Sequence, residues 1–265
     1  MGWRVSASAD TDAEGAVPDL PIEILVLTVA VFAFAGTVKG VVGLGLPTVS
    51  LALLTATLGL KQAIALMLIP SLVTNIWQAL AGGALVQILR RLWPLLIASC
   101  LCVWPGTALL ARSDAGVIAG VFGLLLCVYS AYSLATPQIR PPGRHETWLS
   151  PTIGAVGGVI TGLTGSFIVP GTLYLQALGM PRDVLVQAMG VSFVLLTATL
   201  GIALSGHGLL SVDLGVMSVV AVVPTALGMM LGQRIRKRLP EATFRRVFFF
   251  ALFLLGLYIC VRAVL

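Results

Sequence analysis

One lysine stands in a run of glycines. The segment Phe34-Ala-Gly-Thr-Val-Lys-Gly-Val-Val-Gly-Leu-Gly-Leu-Pro-Thr-Val-Ser50 has Lys39 as its sole charged residue, followed by Gly40, Gly43, Gly45, Pro47 and Thr48. Glycine and proline both disfavour a helix interior, and proline suits the first turn of a new helix. The spacing therefore predicts one helix ending near Gly43 and a short one starting near Pro47. A helix start presents free N–H groups and about half a unit of positive charge, which is chemistry for holding an anion. A second segment, Gly162-Leu-Thr-Gly-Ser-Phe-Ile-Val-Pro170, is built alike, with Thr161, Gly165, Ser166 and Thr172 in and around it. Helix ends at Pro47–Thr48 and at Pro170–Thr172 would together offer backbone amides to one anion, and Lys39 would add a full charge. Two alternatives stay open. The glycines can serve close helix packing, and Lys39, 17 residues after Ile22, can snorkel to a membrane face.

Other polar groups sit inside apolar sequence. Ser71, Thr74, Asn75 and Gln78 share one helical face, and Gln187, Ser192, Thr197 and Thr199 occupy a counterpart. They suit substrate oxygens and helix–helix contacts equally. A catalytic constellation is not expected. The two histidines, His145 and His207, fall in loops, and the acidic residues lie in the first 23 positions, in loops or at segment ends. Cys100, Cys102, Cys127 and Cys260 lie in apolar segments without a CxxC pair, as ordinary packing residues do. No metal, cofactor or enzymatic activity is expected.

The elements that must position these residues are set by composition. Of 265 residues, 58% are hydrophobic and 10% charged, and mean hydropathy is +1.04. A soluble domain carries roughly 25% charged residues. Residues 62–89, 92–111, 115–139, 147–181, 184–212 and 214–233 hold no Asp, Glu, Lys or Arg. About 20 apolar residues suffice for a helix to cross a bilayer. The segments are too long and evenly apolar for barrel strands, so the fold class is an all-α, polytopic transmembrane helical bundle. The net charge of +6 comes from basic residues in short connections, a matter of membrane orientation and not of nucleic-acid binding. Residues 1–21 lack an apolar core for a secretory signal and read as a disordered acidic tail or an over-called start site.

The chain also repeats itself. Gly36, Gly40 and Gly43 recur as Gly158, Gly162 and Gly165, all displaced by 122 residues. Pro47 then matches Pro170, Gly59 matches Gly179 and Pro105 matches Pro224, with small slips in spacing. The expected organisation is a first transmembrane repeat at 22–135, a linker at 136–149 and a second repeat at 150–265. Each repeat opens with a Gly/Pro-broken helix pair, giving eight full helices or ten segments. If each broken segment goes in and comes back, the halves are inverted, and eleven Lys and Arg residues share one side against four on the other. If each crosses once, the split is nine to six. The positive-inside rule favours the first arrangement, with both termini outside the cytoplasm.

At these residues the chain resembles the TauE/SafE family of sulfite and sulfonate transporters. The resemblance runs from about residue 22 to the C-terminus. It rests on the Gly-rich stretch 36–47, its copy 158–170, and Leu227-Gly-Met-Met-Leu-Gly-Gln-Arg-Ile-Arg-Lys-Arg-Leu-Pro-Glu-Ala-Thr-Phe-Arg-Arg246. The family often shows three adjacent glycines where this chain has Val-Val-Gly-Leu-Gly after Lys39. The resemblance implies a permease for sulfite, a sulfonate or another organosulfur anion in the bacterial inner membrane. Without a mid-membrane carboxylate, the expected mechanism is export aided by the membrane potential. A proton-coupled importer of an organic anion, a passive anion channel and a non-transporting assembly subunit are the rivals. Expected partners are a small anion and the lipid bilayer, with a homo-oligomer left open and nucleic acid excluded.

Overall fold

The computed structural model describes residues 22–43, 45–135, 141–236 and 241–264. The tail 1–21, residues 136–140 of the expected linker and residues 237–240 of the basic turn lie outside the described residues. Helices follow one another through the chain, and no strand occurs among the described residues. They are α1 (Ile22–Val42), α2 (Leu46–Leu58), α3 (Leu60–Leu80), α4 (Leu85–Arg112), α5 (Ala115–Ala135), α6 (Glu146–Thr164), α7 (Leu173–Ala177), α8 (Arg182–Gly206), α9 (Val212–Val220), α10 (Val222–Arg236) and α11 (Glu241–Val264). Among the described residues, seven helical stretches are long and apolar enough to cross a membrane: α1, α3, α4, α5, α8, the α9–α10 unit and Arg246–Val264 of α11. α6 is 19 residues long but rich in glycine and threonine and is not one of the seven.

The interruptions have local causes. α1 ends at Val42, Gly43 and Gly45 take left-handed φ values of 86° and 103°, and α2 starts with Pro47 in its first turn. The second interruption is built differently. α6 is capped by left-handed Gly165, and the chain then passes through a π-helical turn, Ile168–Thr172, in which Val169 is extended and the Val169–Pro170 bond is cis. Pro170 therefore sits inside the turn, and the helix that follows, α7, is five residues long. Between α9 and α10 the break falls at Ala221, shortly before Pro224, whose ring cannot donate to the preceding turn.

Four helix pairs make the largest contacts: α4 with α6, α1 with α10, α5 with α11, and α3 with α8. Their directions can be read from close approaches. A Cβ on Gly36 would lie 2.3 Å from the Thr225 carbonyl oxygen, and one on Gly40 2.3 Å from that of Met229, so α1 and α10 run parallel. Gly154, Gly158 and Gly162 meet Leu95, Ser99 and Val103 in the same way, so α4 and α6 are parallel too. In contrast, Gly190 meets Ala79 while Gly201 meets Leu68, which makes α3 and α8 antiparallel. α5 and α11 are also antiparallel, Gly123 meeting Gly256 and Gly116 meeting Ala263.

A second register emerges from these contacts. Gly106 meets Val159 and Gly162, and 126 positions on Gly232 meets Thr37 and Gly40 in the same way. The match of Pro105 with Pro224 implies 119 and does not follow the packing. Along α5 and α11 the correspondence is Gly123-x-x-x-Cys127 with Gly256-x-x-x-Cys260, and each thiol points at a carbonyl of the opposite helix, Phe253 and Gly120 respectively.

The core lies between these pairs and is mainly aliphatic, with Leu46, Leu51, Leu54, Ile64 and Leu66 fully buried. Several buried hydroxyls inside helices return their protons to the carbonyl one turn back. Ser50, Ser99, Thr107, Thr161, Ser192 and Thr225 all do so, which satisfies them where lipid offers no partner.

Candidate functional site

Lys39 occupies the last turn of α1 and is 4% exposed. It does not snorkel. Its ammonium donates to Thr74 Oγ1 at 3.1 Å and to Asn75 Oδ1 at 2.5 Å, both on α3. The receiving groups are themselves held: Asn75 Nδ2 donates to Ser71 Oγ at 3.0 Å, and Thr74 Oγ1 donates to the Pro70 carbonyl at 2.7 Å. An ammonium has three donors, so one remains beyond these two bonds. Arg91 pairs with Glu146, whereas the partners of Lys39 among the described residues are Thr74 and Asn75, neither of them a carboxylate.

The face of α3 that receives Lys39 is shaped by Pro70. A proline has no N–H, so the Leu66 carbonyl loses its partner one turn on. Ser218 of α9 fills the gap, donating to Leu66 O at 2.8 Å and accepting from Ile69 N at 3.2 Å. Nothing in the spacing of the sequence joins Ser218 to Pro70, 148 positions apart.

Lys39 faces a cavity of about 810 Å³. It lies where the C-terminal ends of α1, α3 and α10 meet the N-terminal end of α8. Gly40, Gly43, Thr74, Trp77, Gln78, Gly82, Asp183, Val186, Gln187, Met229 and Gln233 complete most of its wall. Gln78 donates to the Val186 carbonyl at 2.7 Å, fixing α3 to α8. Gln187 is wholly engaged: its amide nitrogen donates to the carbonyls of Ala79 at 2.8 Å and Gly82 at 2.9 Å, and its oxygen accepts from Ala84 N at 3.0 Å. Gln187 thus builds the turn between α3 and α4 and has little left for a ligand. Trp77, Asp183, Met229 and Gln233 were not singled out by sequence reasoning, because each sits at a helix end among ordinary interfacial residues.

A second, much smaller cavity of about 20 Å³ joins the two interruptions. Gly45, Pro47 and Thr48 line it from the first, and Ser166, Phe167, Ile168 and Thr172 from the second. Thr172 Oγ1 donates to Phe167 O at 3.3 Å. Thr48 and Ser166 are buried, at 5% and 4% exposure. Aromatic rings close the space: Phe167 meets Phe193 edge-on at 6.4 Å, and Phe248 and Phe249 lie 5.1 Å apart. A volume of that size holds about one water molecule.

Of the residues the sequence put forward, Lys39, Gly40, Gly43, Gln78 and Gln187 line the large cavity, and Gly45, Pro47, Thr48, Ser166 and Thr172 the small one. Asn75 reaches the first through Lys39. Thr161, Gly162, Gly165, Pro170 and Ser192 line neither. Gly162 is pressed on α4, where a Cβ would lie 2.2 Å from the Val103 carbonyl oxygen, and the hydroxyls of Thr161 and Ser192 are spent on their own helices. Close packing, not ligand contact, explains Gly162, and it accounts equally for Gly36 and Gly158. Among the described residues no cluster of His, Cys, Asp and Glu has metal-ligand geometry.

No curated protein and no solved structure matches the chain. A family model described as "Sulfite exporter TauE/SafE" matches residues 28–259, nearly all of the membrane-embedded sequence, and the chain belongs to that family of membrane transporters.

Proposed function

We propose that the protein exports a small oxyanion, sulfite or an organic sulfonate, using Lys39 as the charge that receives it. The observation that carries this reading is a buried ammonium that faces an 810 Å³ cavity and has no carboxylate partner among the described residues. A buried charge without a counter-ion is costly, by several kcal/mol, and an entering anion relieves that cost. The neutral groups around it, Gln78, Trp77 and Gln233, leave the net charge of the wall to Lys39 and Asp183.

The proposed topology is a pair of inverted repeats. In support, the corresponding helices α3 and α8 run antiparallel, as do α5 and α11, while α1 and α10 run parallel and so do α4 and α6. α2 leads away from the cavity face, since its Ala56 carbonyl accepts from Arg262 near the end of α11. Arg90, Arg91, Arg182 and Arg234 stand at helix ends on the cavity face, so the positive-inside rule places that face in the cytoplasm. An exporter open to the cytoplasm would load there. The path onward runs past Gly43 and Gly45 to the small cavity, where Thr48, Ser166 and the first-turn amides of α2 can take over the oxyanion's hydrogen bonds.

The test is flux of sulfur-labelled sulfite in proteoliposomes at imposed potentials. A monovalent anion leaving a compartment at −100 mV gains about 2.3 kcal/mol, which sets a concentration ratio of roughly 50 at equilibrium. Flux that ignores the potential and tracks a pH gradient would overturn potential-driven export. It would favour the second reading, a proton-coupled carrier using Asp183, a carboxylate on the cavity wall.

A further inference from the structure

Gly43 and Gly165 end corresponding helices with the same left-handed backbone, at φ 86° and 73°. They are 122 positions apart, and so are the residues that face them, Ile64 and Val186. The two contacts are nevertheless unequal. A Cβ on Gly43 would find Val186 at 3.8 Å and nothing nearer, beside the large cavity. A Cβ on Gly165 would meet Ile64 at 2.9 Å and Leu51 at 3.4 Å. Val186 stands four residues into α8 from the cavity face, and Ile64 four residues into the antiparallel α3 from the opposite face. One glycine therefore borders an opening toward one membrane face while its counterpart is sealed toward the other. The seal is aliphatic. The positions 122 beyond Thr74 and Gln78 are Leu196 and Leu200, which lie in one buried cluster with Ile64 and Leu51.

We infer that Gly165, Ile64 and Leu51 form the closed gate of a latent exit vestibule for the same oxyanion, which opens to the opposite face as the Lys39 cavity closes. The inference rests on the transport reading above and adds where the anion leaves. Two discrete arrangements of the same contact, one per repeat, are what a rocking exchange between inverted halves requires. The exit also differs chemically from the entrance. Thr161 holds the place of Lys39 and spends its hydroxyl on Gly157 O at 2.7 Å. The buried charge at the entrance thus has no counterpart at Thr161, while Lys61, in the first turn of α3, holds the place of Asp183.

Hydrogen–deuterium exchange of the wild-type protein, with and without saturating sodium sulfite, tests the exchange of open faces. Sulfite bound at Lys39 favours the state in which that cavity is open, so the expected result is a fall in deuterium uptake across residues 60–66 and 161–166, the gate held shut, relative to ligand-free protein. Unchanged or raised uptake across those residues while sulfite flux proceeds overturns the gate and leaves transport standing. Absence of sulfite flux in the wild type overturns the transport reading itself. The variant Ile64→Trp supplies a second readout: flux falls at least tenfold while equilibrium sulfite binding stays within threefold. A folded Ile64→Trp protein with half or more of wild-type flux refutes the gate.

Discussion

Replacing Lys39 by methionine separates the charge of the site from its shape. The side chain keeps nearly the same length, and what goes is the ammonium with its bonds to Thr74 and Asn75. Two unit charges about 4 Å apart attract by about 4 kcal/mol at an effective dielectric constant of about 20, and by about 1 kcal/mol in water. The difference, about 3 kcal/mol, corresponds to roughly 100-fold in affinity. Because the 810 Å³ cavity admits water, the expected loss of sulfite affinity for Lys39→Met is about 10- to 100-fold, with flux falling in proportion at subsaturating sulfite. Stability moves differently. Burying an ammonium without a counter-ion costs several kcal/mol, so removing it offsets the loss of the donor to Asn75, worth about 1–3 kcal/mol. The thermal midpoint in detergent is thus expected to hold or rise. Binding by equilibrium dialysis of labelled sulfite and unfolding by thermal scan can be measured on one preparation. A folded Lys39→Met protein that binds sulfite within threefold of wild type refutes the assignment. A midpoint that collapses along with binding would show Lys39 to be a structural residue, its bonds to α3 mattering more than its charge.

Four further substitutions probe the scaffold of the site. Ser218→Ala strips the partner from the Leu66 carbonyl opposite Pro70 and should destabilise the protein by about 1–2 kcal/mol, seen as a lower thermal midpoint with sulfite affinity changed less than threefold. Gln187→Leu removes three bonds to the backbone of the α3–α4 turn; about 2–4 kcal/mol of stability should go with them, and a variant as stable as wild type would show those bonds to be dispensable. Gly162→Val would drive a branched side chain into the Val103 carbonyl, already 2.2 Å from a Cβ. It should abolish a monodisperse peak on size-exclusion chromatography, whereas Gly83→Ala, with open space around it, should leave elution unchanged.

Helical, membrane-spanning character was legible because it follows from where charges are missing, a property of composition along the chain that no tertiary contact can alter. α1 and α6 each end beside a left-handed glycine, Gly43 and Gly165, a conformation that glycine takes on its own backbone. Roles of individual glycines were not legible. Gly43 and Gly162 look alike in sequence, yet one borders a cavity and the other lies against α4, and that distinction depends on which helix comes alongside. The same limit hid Ser218 and the aromatic closure by Phe193, Phe248 and Phe249, all of which act across 100 or more positions or between the two halves. The thiols show the converse: Cys127 and Cys260 read as packing residues, and each does pack, but against the carbonyl of the other's helix.

The two interruptions divide the work that one ideal repeat would duplicate. In the first, Lys39 and Gly43 border the large cavity, and α2 follows with 13 residues of regular helix. In the second, Thr161 replaces the lysine, aliphatic side chains replace Thr74 and Gln78, and five-residue α7 replaces α2. A symmetric pair of charged entrances would hold an anion equally well from both faces and give its passage no preferred direction of release. The direction of net movement still follows the potential and the gradient, since a carrier cannot bias an equilibrium. On the proposed transport reading, what the asymmetry changes is rate: the buried Lys39 ammonium holds the anion at the loading face, and Thr161, in the matching place, offers no buried charge at the other.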